Sequence, residues 1–246
     1  MDYSDINNKT ALILGASGGI GLATVKALSQ YCNKVIAIIR TEPMADLFNE
    51  MENVDLVILD VLEKNKFINW LSEYIAEGNV INILVNNIGV YSVTELIDVK
   101  EEVWDNVYNT NLKSTFFVSQ AVANHMKNKG GGVILNAASF AAKMPSNNLG
   151  IYASAKSALV TLTKSMAAEW AKYNIRVNCY SPGVIETKMT TPLIEKNRAE
   201  MLSKIAMKRF GDCEEAVNAI LFLVSNQSSY ITGTNLEIDG GKYLIQ

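Results

Sequence analysis

The run Ala11-Leu12-Ile13-Leu14-Gly15-Ala16-Ser17-Gly18-Gly19-Ile20-Gly21 passes from apolar residues into a loop rich in glycine. A short unbroken apolar segment is typical of a strand buried on both faces, and helical spacing follows over 20–31. A helix that begins after a strand and a glycine turn directs free N–H groups and its positive dipole end at a phosphate. The run therefore predicts a βαβ unit with an anion site, where Gly15, Gly19 and Gly21 permit close backbone approach.

The alternation of short apolar runs and helical segments continues along the whole chain. Strands are predicted at 11–14, 34–39, 54–59, 81–85, 133–136, 176–180 and 235–238. Helices are predicted near 20–31, 42–51, 63–77, 100–128, 150–172 and 213–225. No linker or repeat interrupts this pattern. We therefore expect one α/β domain over 1–246, a Rossmann-like doubly wound parallel sheet of about seven strands with helices on both faces.

Composition narrows the class of protein. The chain has 246 residues, of which 49% are hydrophobic and 19% charged, as a large buried core requires. A net charge of −3 gives no basis for binding nucleic acid or a membrane surface.

Targeting and metal binding are judged from other features. We see neither a leader pattern nor an apolar run of membrane-spanning length, and the three cysteines are scattered, so we expect a cytoplasmic protein. One histidine, His125, and these cysteines cannot build a zinc site, so we expect that it binds no metal.

Two other known sequence motifs resemble the glycine loop. Residues 15–19 also read G-x-S-x-G, the nucleophile elbow of hydrolases, which needs earlier strands, an oxyanion loop and a late histidine. Position 17 leaves room for one strand only, and His125 lies far from the carboxyl end of the chain. A P-loop needs lysine after its last glycine, but Leu22 follows Gly21. The context therefore favours dinucleotide binding over both alternatives.

The end of the second predicted strand bears on the choice of dinucleotide. An acidic residue at this place binds the ribose 2′-hydroxyl of NAD, whereas an arginine accommodates the 2′-phosphate of NADP. Ile39 and Arg40 stand there, which favours NADP(H), with NAD(H) as the alternative. Arg40 also fits an ordinary surface residue at the start of a loop. Asp60, after the third strand, is placed to accept a hydrogen bond from an adenine amino group.

A tyrosine and a lysine one helical turn apart form the chemical motif of the chain. Tyr152 and Lys156 occupy positions i and i+4 of a predicted helix, and Ser139 ends a predicted strand upstream. A free phenol titrates near pH ~10, and an adjacent ammonium lowers that pKa, as a general acid or base requires. The pair alone also fits a surface tyrosine and a surface lysine, because this spacing is common by chance.

Taken together, these motifs resemble the short-chain dehydrogenase/reductase family over residues 9–241. The family patterns stand at Gly15, Gly19 and Gly21, at 86–89, at Pro182, Gly183 and Thr187, and at 230–233 and 239–241. The last two are similar to the 3-oxoacyl-[acyl-carrier-protein] reductase branch. The resemblance implies four catalytic residues, Asn111, Ser139, Tyr152 and Lys156. It implies that the dinucleotide is bound by Gly15, Ser17, Gly18, Gly19, Ile20, Gly21, Arg40, Asp60, Val61, Asn87, Gly89, Tyr152, Lys156, Pro182, Gly183, Ile185 and Thr187.

The resemblance also implies a role for each catalytic group. Tyr152 gives its proton to the substrate carbonyl oxygen, and the Ser139 hydroxyl holds that oxygen. Lys156 lowers the pKa of Tyr152 and binds the nicotinamide ribose. Asn111 holds a water that links Lys156 to solvent, and Thr187 contacts the carboxamide. The nicotinamide cofactor supplies the hydride.

Three positions depart from the family pattern. Leu14 replaces the threonine that usually precedes the first glycine, so its hydrogen bond to the turn after the fourth strand is missing. Ile88 replaces an alanine and gives a bulkier wall beside the cofactor. Gly18 stands where many NADP-using members carry a basic residue, which leaves Arg40 as the main ligand for a 2′-phosphate.

The expected function is carbonyl reduction or alcohol oxidation, with a 3-oxoacyl thioester, free or carrier-bound, as the leading substrate. A sugar, polyol or steroid alcohol is the alternative, and a catalytically silent nucleotide-sensing protein is the alternative outside this chemistry. Residues 187–210 resemble a substrate lid with a charge of +4, which either steers an anionic substrate or is simply a solvated helix face. Residues 109–126 and 153–171 carry few charges, which indicates either a thick core or a homodimer or homotetramer.

Overall fold

A seven-stranded parallel sheet organises the part of the chain that the computed structural model describes, residues 2–41, 46–242 and 244. The strand order is β3-β2-β1-β4-β5-β6-β7, which is a doubly wound Rossmann-like topology. The strands are β1 Thr10–Leu14, β2 Lys34–Ile39, β3 Val54–Ile58, β4 Ile83–Asn86, β5 Gly132–Ala137, β6 Ile175–Pro182 and β7 Asn235–Ile238. The predicted fold class is confirmed, and all seven predicted strands are found.

The helices follow the predicted order with three differences. They are α1 Gly19–Ser29, α2 Lys64–Ala76, α3 Glu101–Tyr108, α4 Ser114–Met126, α5 Gly150–Trp170, α6 Thr191–Ser203 and α7 Cys213–Val224. The single helix expected over 100–128 is divided by a π-turn at Asn109–Lys113. The helix expected at 42–51 falls partly on 42–45, outside the described residues, and only a short 3-10 turn covers 46–48. Helix α6 lies within the segment interpreted as a lid.

Both faces of the sheet are buried, as the unbroken apolar strands predict. Ile13 points to the face that α1 and α7 cover, and Leu12 and Leu14 point to the face that α2, α4 and α5 cover. None of the helices in the described ranges is long and apolar enough to cross a bilayer.

The ladder register aligns the carboxyl ends of the central strands. Leu14 pairs with Asn86, Asn86 with Asn136, and Asn136 with Cys179. In a sheet of this topology, ligands bind at the edge where the strands end. The loops that leave this edge therefore define the candidate site.

Candidate active site

The glycine loop joins β1 to α1 at this edge of the sheet. Gly15 has a φ of +69°, and a Cβ there would lie 2.6 Å from the carbonyl oxygen of Asn87. A Cβ on Gly21 would lie 2.1 Å from the carbonyl oxygen of Gly15. Only glycine fits either place, and the close packing brings the start of α1 against the end of β4. The first N–H groups of α1 have no carbonyl one turn earlier, so this cradle suits a pyrophosphate.

The residues expected to contact adenosine lie together at the ends of β2 and β3. Ile39 pairs with Ile58 in the ladder, so Arg40 and Asp60 follow neighbouring strands. Arg40 is exposed and Val61 is buried, while the Asp60 carboxylate accepts the Leu62 N–H at 2.9 Å. An exposed guanidinium at this point is available to a phosphate.

Several other residues expected at the cofactor lie at the same edge of the sheet. Asn87 donates its N–H to the Leu14 carbonyl at 3.1 Å. A Cβ on Gly19 would lie 2.6 Å from Cγ2 of Thr187, which places the start of the lid against the glycine loop. Gly183 donates its N–H to Ile238 at 2.9 Å, and Ile185 is buried beside the lid.

Ser139, Tyr152 and Lys156 come from two elements that meet at this edge. Ser139 directly follows Ala138 at the end of β5, and its Oγ accepts the Ala141 N–H at 3.2 Å. Tyr152 and Lys156 lie on the first turns of α5. The Lys156 side chain is 2% exposed, and its Nζ donates to the Ala137 carbonyl at 2.6 Å. Its Nζ lies 5.9 Å from the centroid of the Tyr152 ring.

Asn111 reaches the same place from the π-turn. Its Oδ1 accepts the Val90 N–H at 2.8 Å, and its Nδ2 donates to the Val90 carbonyl at 2.7 Å. A Cβ on Gly89 would lie 3.1 Å from Oδ1 of Asn111 and 3.4 Å from Nζ of Lys156. The wide turn, a form often found at functional sites, brings the buried amide into register with the end of β4. The sequence pattern contains no signal for this turn.

Burial controls the titration of the central pair. Burial raises the pKa of Tyr152, and hydrogen bonding to Ser139 opposes that rise. Burial lowers the pKa of Lys156 to about 8. The pKa of Tyr152 therefore rises rather than falls in the protein alone, because desolvation outweighs the hydrogen bond to Ser139, and the effect of Lys156 on the phenolate stays a prediction. A lysine that titrates near pH 8 is suited to exchange protons in the physiological range.

Tyr91 is a residue of the site that sequence reasoning missed. Its ring makes an edge contact with Tyr152 at a centroid distance of 6.4 Å, and its hydroxyl donates to the Met189 carbonyl at 3.2 Å. It therefore joins Tyr152 to the lid. Leu96 packs on Gly150 nearby and is 66% exposed, so the mouth of the site has apolar walls. An aromatic residue shortly after Gly89 was the available signal.

The lid over 187–210 contains α6, which is kinked at Asn197. Its excess of positive charge is cancelled by acidic residues just outside it, since residues 186–215 together contain six basic and six acidic side chains. Three cations of the lid form ion pairs: Arg198 with Glu186, Lys204 with Glu200, and Arg209 with Glu215. The mixed, paired charges favour a solvated helix face over a surface that steers anions.

His125 and the cysteines lie outside this site or at its border. His125 is buried and accepts the Ile81 N–H at Nε2, 3.2 Å away, which is a structural role as expected. Cys32 and Cys179 are buried, and Cys213 is half-buried at the start of α7. Over the described ranges, no three His, Cys, Asp or Glu side chains are grouped so that they could hold a metal ion.

Comparisons with known proteins agree with this geometry. Residues 15–242 match a family model described as enoyl-(acyl carrier protein) reductase. The chain is 39% identical, over 96% of its length and 98% of the relative, to a 3-oxoacyl-[acyl-carrier-protein] reductase of Thermotoga maritima.

Two solved structures share the whole fold. A 4-hydroxyisoleucine dehydrogenase complexed with NADH superposes with a TM-score of 0.92 at 30% identity, covering 97% of this chain and 100% of that one. An aldohexose dehydrogenase of Thermoplasma acidophilum superposes with a TM-score of 0.91 at 28% identity, covering 100% and 98%. The similarity thus extends over the glycine loop, α5 and the segment 187–210 together.

Proposed function

We propose that this chain, which belongs to the short-chain dehydrogenase/reductase family, is an NADP(H)-dependent reductase of 3-oxoacyl thioesters. The observation that carries this proposal is the convergence of Ser139, Tyr152 and Lys156 beside the glycine loop. The 39% identity to a 3-oxoacyl-[acyl-carrier-protein] reductase supports the substrate class. The apolar mouth formed by Tyr91 and Leu96 suits an acyl chain.

In the proposed mechanism, the side chains bind the substrate carbonyl oxygen, transfer a proton to it or replace that proton from solvent. The dinucleotide, when bound, supplies the hydride. The Ser139 hydroxyl donates a hydrogen bond to the carbonyl oxygen, and Tyr152 transfers its phenolic proton to that oxygen, which becomes the alcohol. Lys156 stabilises the phenolate left on Tyr152 and would hold the nicotinamide ribose. Asn111 orders the path by which Lys156 exchanges protons with solvent.

We attribute the preference for NADP(H) to Arg40. Its exposed guanidinium at the end of β2 supports charge-assisted bonds to a 2′-phosphate. Asp60 and Val61 would hold the adenine, and the cradle of Gly15, Gly19 and Gly21 would hold the pyrophosphate.

A second function has its own support. The aldohexose dehydrogenase shares the fold, and the 4-hydroxyisoleucine dehydrogenase was solved with NADH. A sugar, polyol or steroid alcohol dehydrogenase that uses NAD(H) is therefore the alternative. A nucleotide-sensing protein without catalysis is disfavoured by the buried lysine, because burying an amine costs stability and is retained where it serves chemistry.

We further propose a cytoplasmic homotetramer or homodimer assembled through α3, α4 and α5. These helices border a surface groove lined by Trp104, Tyr108, Leu112, Phe116, Phe117 and Leu162. Trp104 is 44% exposed and stacks on Tyr108 with ring centroids 4.5 Å apart. A second copy of the same surface would cover this apolar face with closed symmetry.

A substrate panel tests the proposed function. Purified protein is given acetoacetyl and longer 3-oxoacyl thioesters, hexoses, polyols and steroid alcohols, each with NADPH or NADH, and nicotinamide absorbance is followed. We expect the highest kcat/KM for a 3-oxoacyl thioester with NADPH. A higher value for a sugar with NAD would establish the alternative, and dinucleotide binding without turnover of any compound would favour the sensing protein.

A further inference from the structure

Tyr180 in β6 is the largest fully buried side chain in the described ranges, and its hydroxyl reaches two strands away. The sheet order places β5 between β6 and β4, and Ala137 of β5 lies opposite Tyr180 in the ladder. Tyr180 and Ala137 belong to the core cluster beneath α1 and α7. The small methyl of Ala137 leaves room for the phenol ring to pass across the end of β5.

Beyond β5, the Tyr180 hydroxyl donates a hydrogen bond to Oδ1 of Asn87. Burial raises the pKa of Tyr180, so the hydroxyl keeps its proton and remains a donor. The backbone of the same residue makes a second link, because the Tyr180 carbonyl accepts the N–H of Ala138 at 2.8 Å, one residue before Ser139. One residue thus connects the end of the catalytic strand to the turn after β4.

Asn87 in turn supports the glycine loop. Its carbonyl oxygen occupies the space where a Cβ of Gly15 would lie, and its Nδ2 is 3.0 Å from the position of a Cβ on Gly21. Leu14, the residue before Gly15, is apolar and offers this turn only its backbone carbonyl. The side-chain anchor of the turn therefore comes from β6.

We infer that Tyr180 is a positioning residue for the dinucleotide: through Asn87, its hydroxyl fixes the turn after β4 against the glycine loop. Without the hydroxyl, the carboxamide oxygen of Asn87 loses its buried donor and the turn can shift relative to Gly15 and Gly21. This part of the groove is shared by NADPH and NADH, whereas Arg40 faces only the extra phosphate. The inference rests on the proposed use of a dinucleotide.

The test is Tyr180→Phe, with the dissociation constants of NADPH and NADH measured by fluorescence titration. Loss of one hydrogen bond with an unpaired buried acceptor should raise both constants by the same factor, roughly three- to thirtyfold. The value of kcat at saturating cofactor should stay within about twofold, because the hydroxyl acts on binding rather than on proton transfer. Tyr74→Phe, on α2 near Lys34 at the opposite end of the sheet, is the control and should change neither constant.

A double-mutant cycle with Asn87→Ala shows whether the hydroxyl acts through the amide. In the Asn87→Ala background, Tyr180→Phe should add almost nothing to either dissociation constant. Additive effects, or unchanged binding in Tyr180→Phe, would overturn the inference while leaving the proposed function in place. If Tyr180→Phe does not fold, Tyr180→Met, which keeps a long apolar side chain without the hydroxyl, takes its place: an equal rise for both dinucleotides supports the inference, and unchanged binding refutes it. Failure of the unmodified protein to bind either dinucleotide would overturn the proposed function and this inference with it.

Discussion

The carboxyl edge of the sheet and the lid over 187–210 differ in what holds their side chains in place. At the edge, Asn111 is fully buried, Lys156 is 2% exposed, and both are bonded to backbone groups of neighbouring elements. On the lid, Met189 and Met207 are 53% and 59% exposed, and the ion pairs lie in solvent. Exposed ion pairs contribute little to stability, so these pairs do little to hold the lid in place.

This difference separates the chemistry of the site from its specificity. Groups at the edge are fixed by packing, so the positions that their proposed roles in proton transfer and dinucleotide binding require are set by the core. The hydrogen bond from Tyr91 to Met189 joins the lid to the edge, and the lid residues Ile194, Ile205 and Phe210 form a small apolar cluster with Val184. Substitutions at the edge should therefore change rate or cofactor affinity strongly, and substitutions on the lid should change substrate preference weakly.

The largest effect is expected from Tyr152→Phe, which keeps the ring and removes the hydroxyl. General acid catalysis contributes roughly 10²–10⁴-fold, so kcat should fall by that factor while the dissociation constant of NADPH stays nearly unchanged. Steady-state kinetics and fluorescence titration measure the two quantities. Tyr173→Phe, a 40% exposed tyrosine after α5, is the control and should behave as the unmodified protein. Turnover by Tyr152→Phe at the unmodified rate would exclude the mechanism.

The next largest effect is expected at the adenosine end of the edge. Charge-assisted hydrogen bonds contribute roughly 1.5–3 kcal/mol, so Arg40→Ala should weaken NADPH by about one to two decades. Binding of NADH should barely change, because it lacks the 2′-phosphate. Equal losses for both dinucleotides would show that Arg40 supports the fold only. Tighter NADH binding by the unmodified protein would contradict the preference itself.

The buried amine of Lys156 gives the edge a defined pH dependence. Its pKa is lowered to about 8, so reduction should lose rate as pH rises through 8, by about tenfold for each further unit. In the unfolded chain the amine titrates near 10.5, so between pH 8 and 10.5 the unfolded state binds more protons and this group makes stability rise with pH.

Lys156→Met tests both statements. We expect activity to be lost and the rise in melting temperature between pH 8 and 10 to shrink, because the titrating amine is gone. Lys164→Met, on the exposed side of α5, is the matched control and should retain both the activity and the pH dependence of stability. An unchanged pH profile of stability in Lys156→Met would show that the amine is solvated in the folded protein.

The surface groove between α3 and α5 is the proposed subunit interface, and it can be tested separately from the edge and the lid. Trp170 is half-buried and packs against the core, so a charge there would disturb the fold as well as a subunit interface. Trp104 is more exposed, and Trp104→Glu should lower the mass measured by light scattering at micromolar concentration. Ile97→Glu, at 89% exposure, is the control. The unmodified protein should show about two or four times the chain mass of 27.0 kDa, and a mass near 27.0 kDa would refute the proposed assembly.

The sequence predicted the local features of the edge far better than those that depend on packing, for a physical reason. Continuous apolar strands, the glycines near Gly15 and the spacing of Tyr152 and Lys156 are local signals, and the fold turns them directly into geometry. The π-turn at Asn109–Lys113 and the contact from Tyr180 to Asn87 depend on packing between distant elements. The sequence predicted that the pKa of Tyr152 falls, whereas burial raises it, because the depth of burial of a side chain cannot be read from residue spacing.

The smallest effect is expected where the two regions touch, at Tyr91. Its ring contacts Tyr152 and its hydroxyl donates to the Met189 carbonyl, so Tyr91→Phe keeps the contact with the edge and removes the bond to the lid. An exposed hydrogen bond contributes about 0.5–1.5 kcal/mol, so KM for the carbonyl substrate should rise roughly two- to tenfold with kcat little changed. Tyr91→Ala removes the ring as well, and it should lower kcat too if the ring orders Tyr152. Equal kinetics for Tyr91→Phe and the unmodified protein would mean that the lid closes without this bond, and that the edge alone determines substrate affinity.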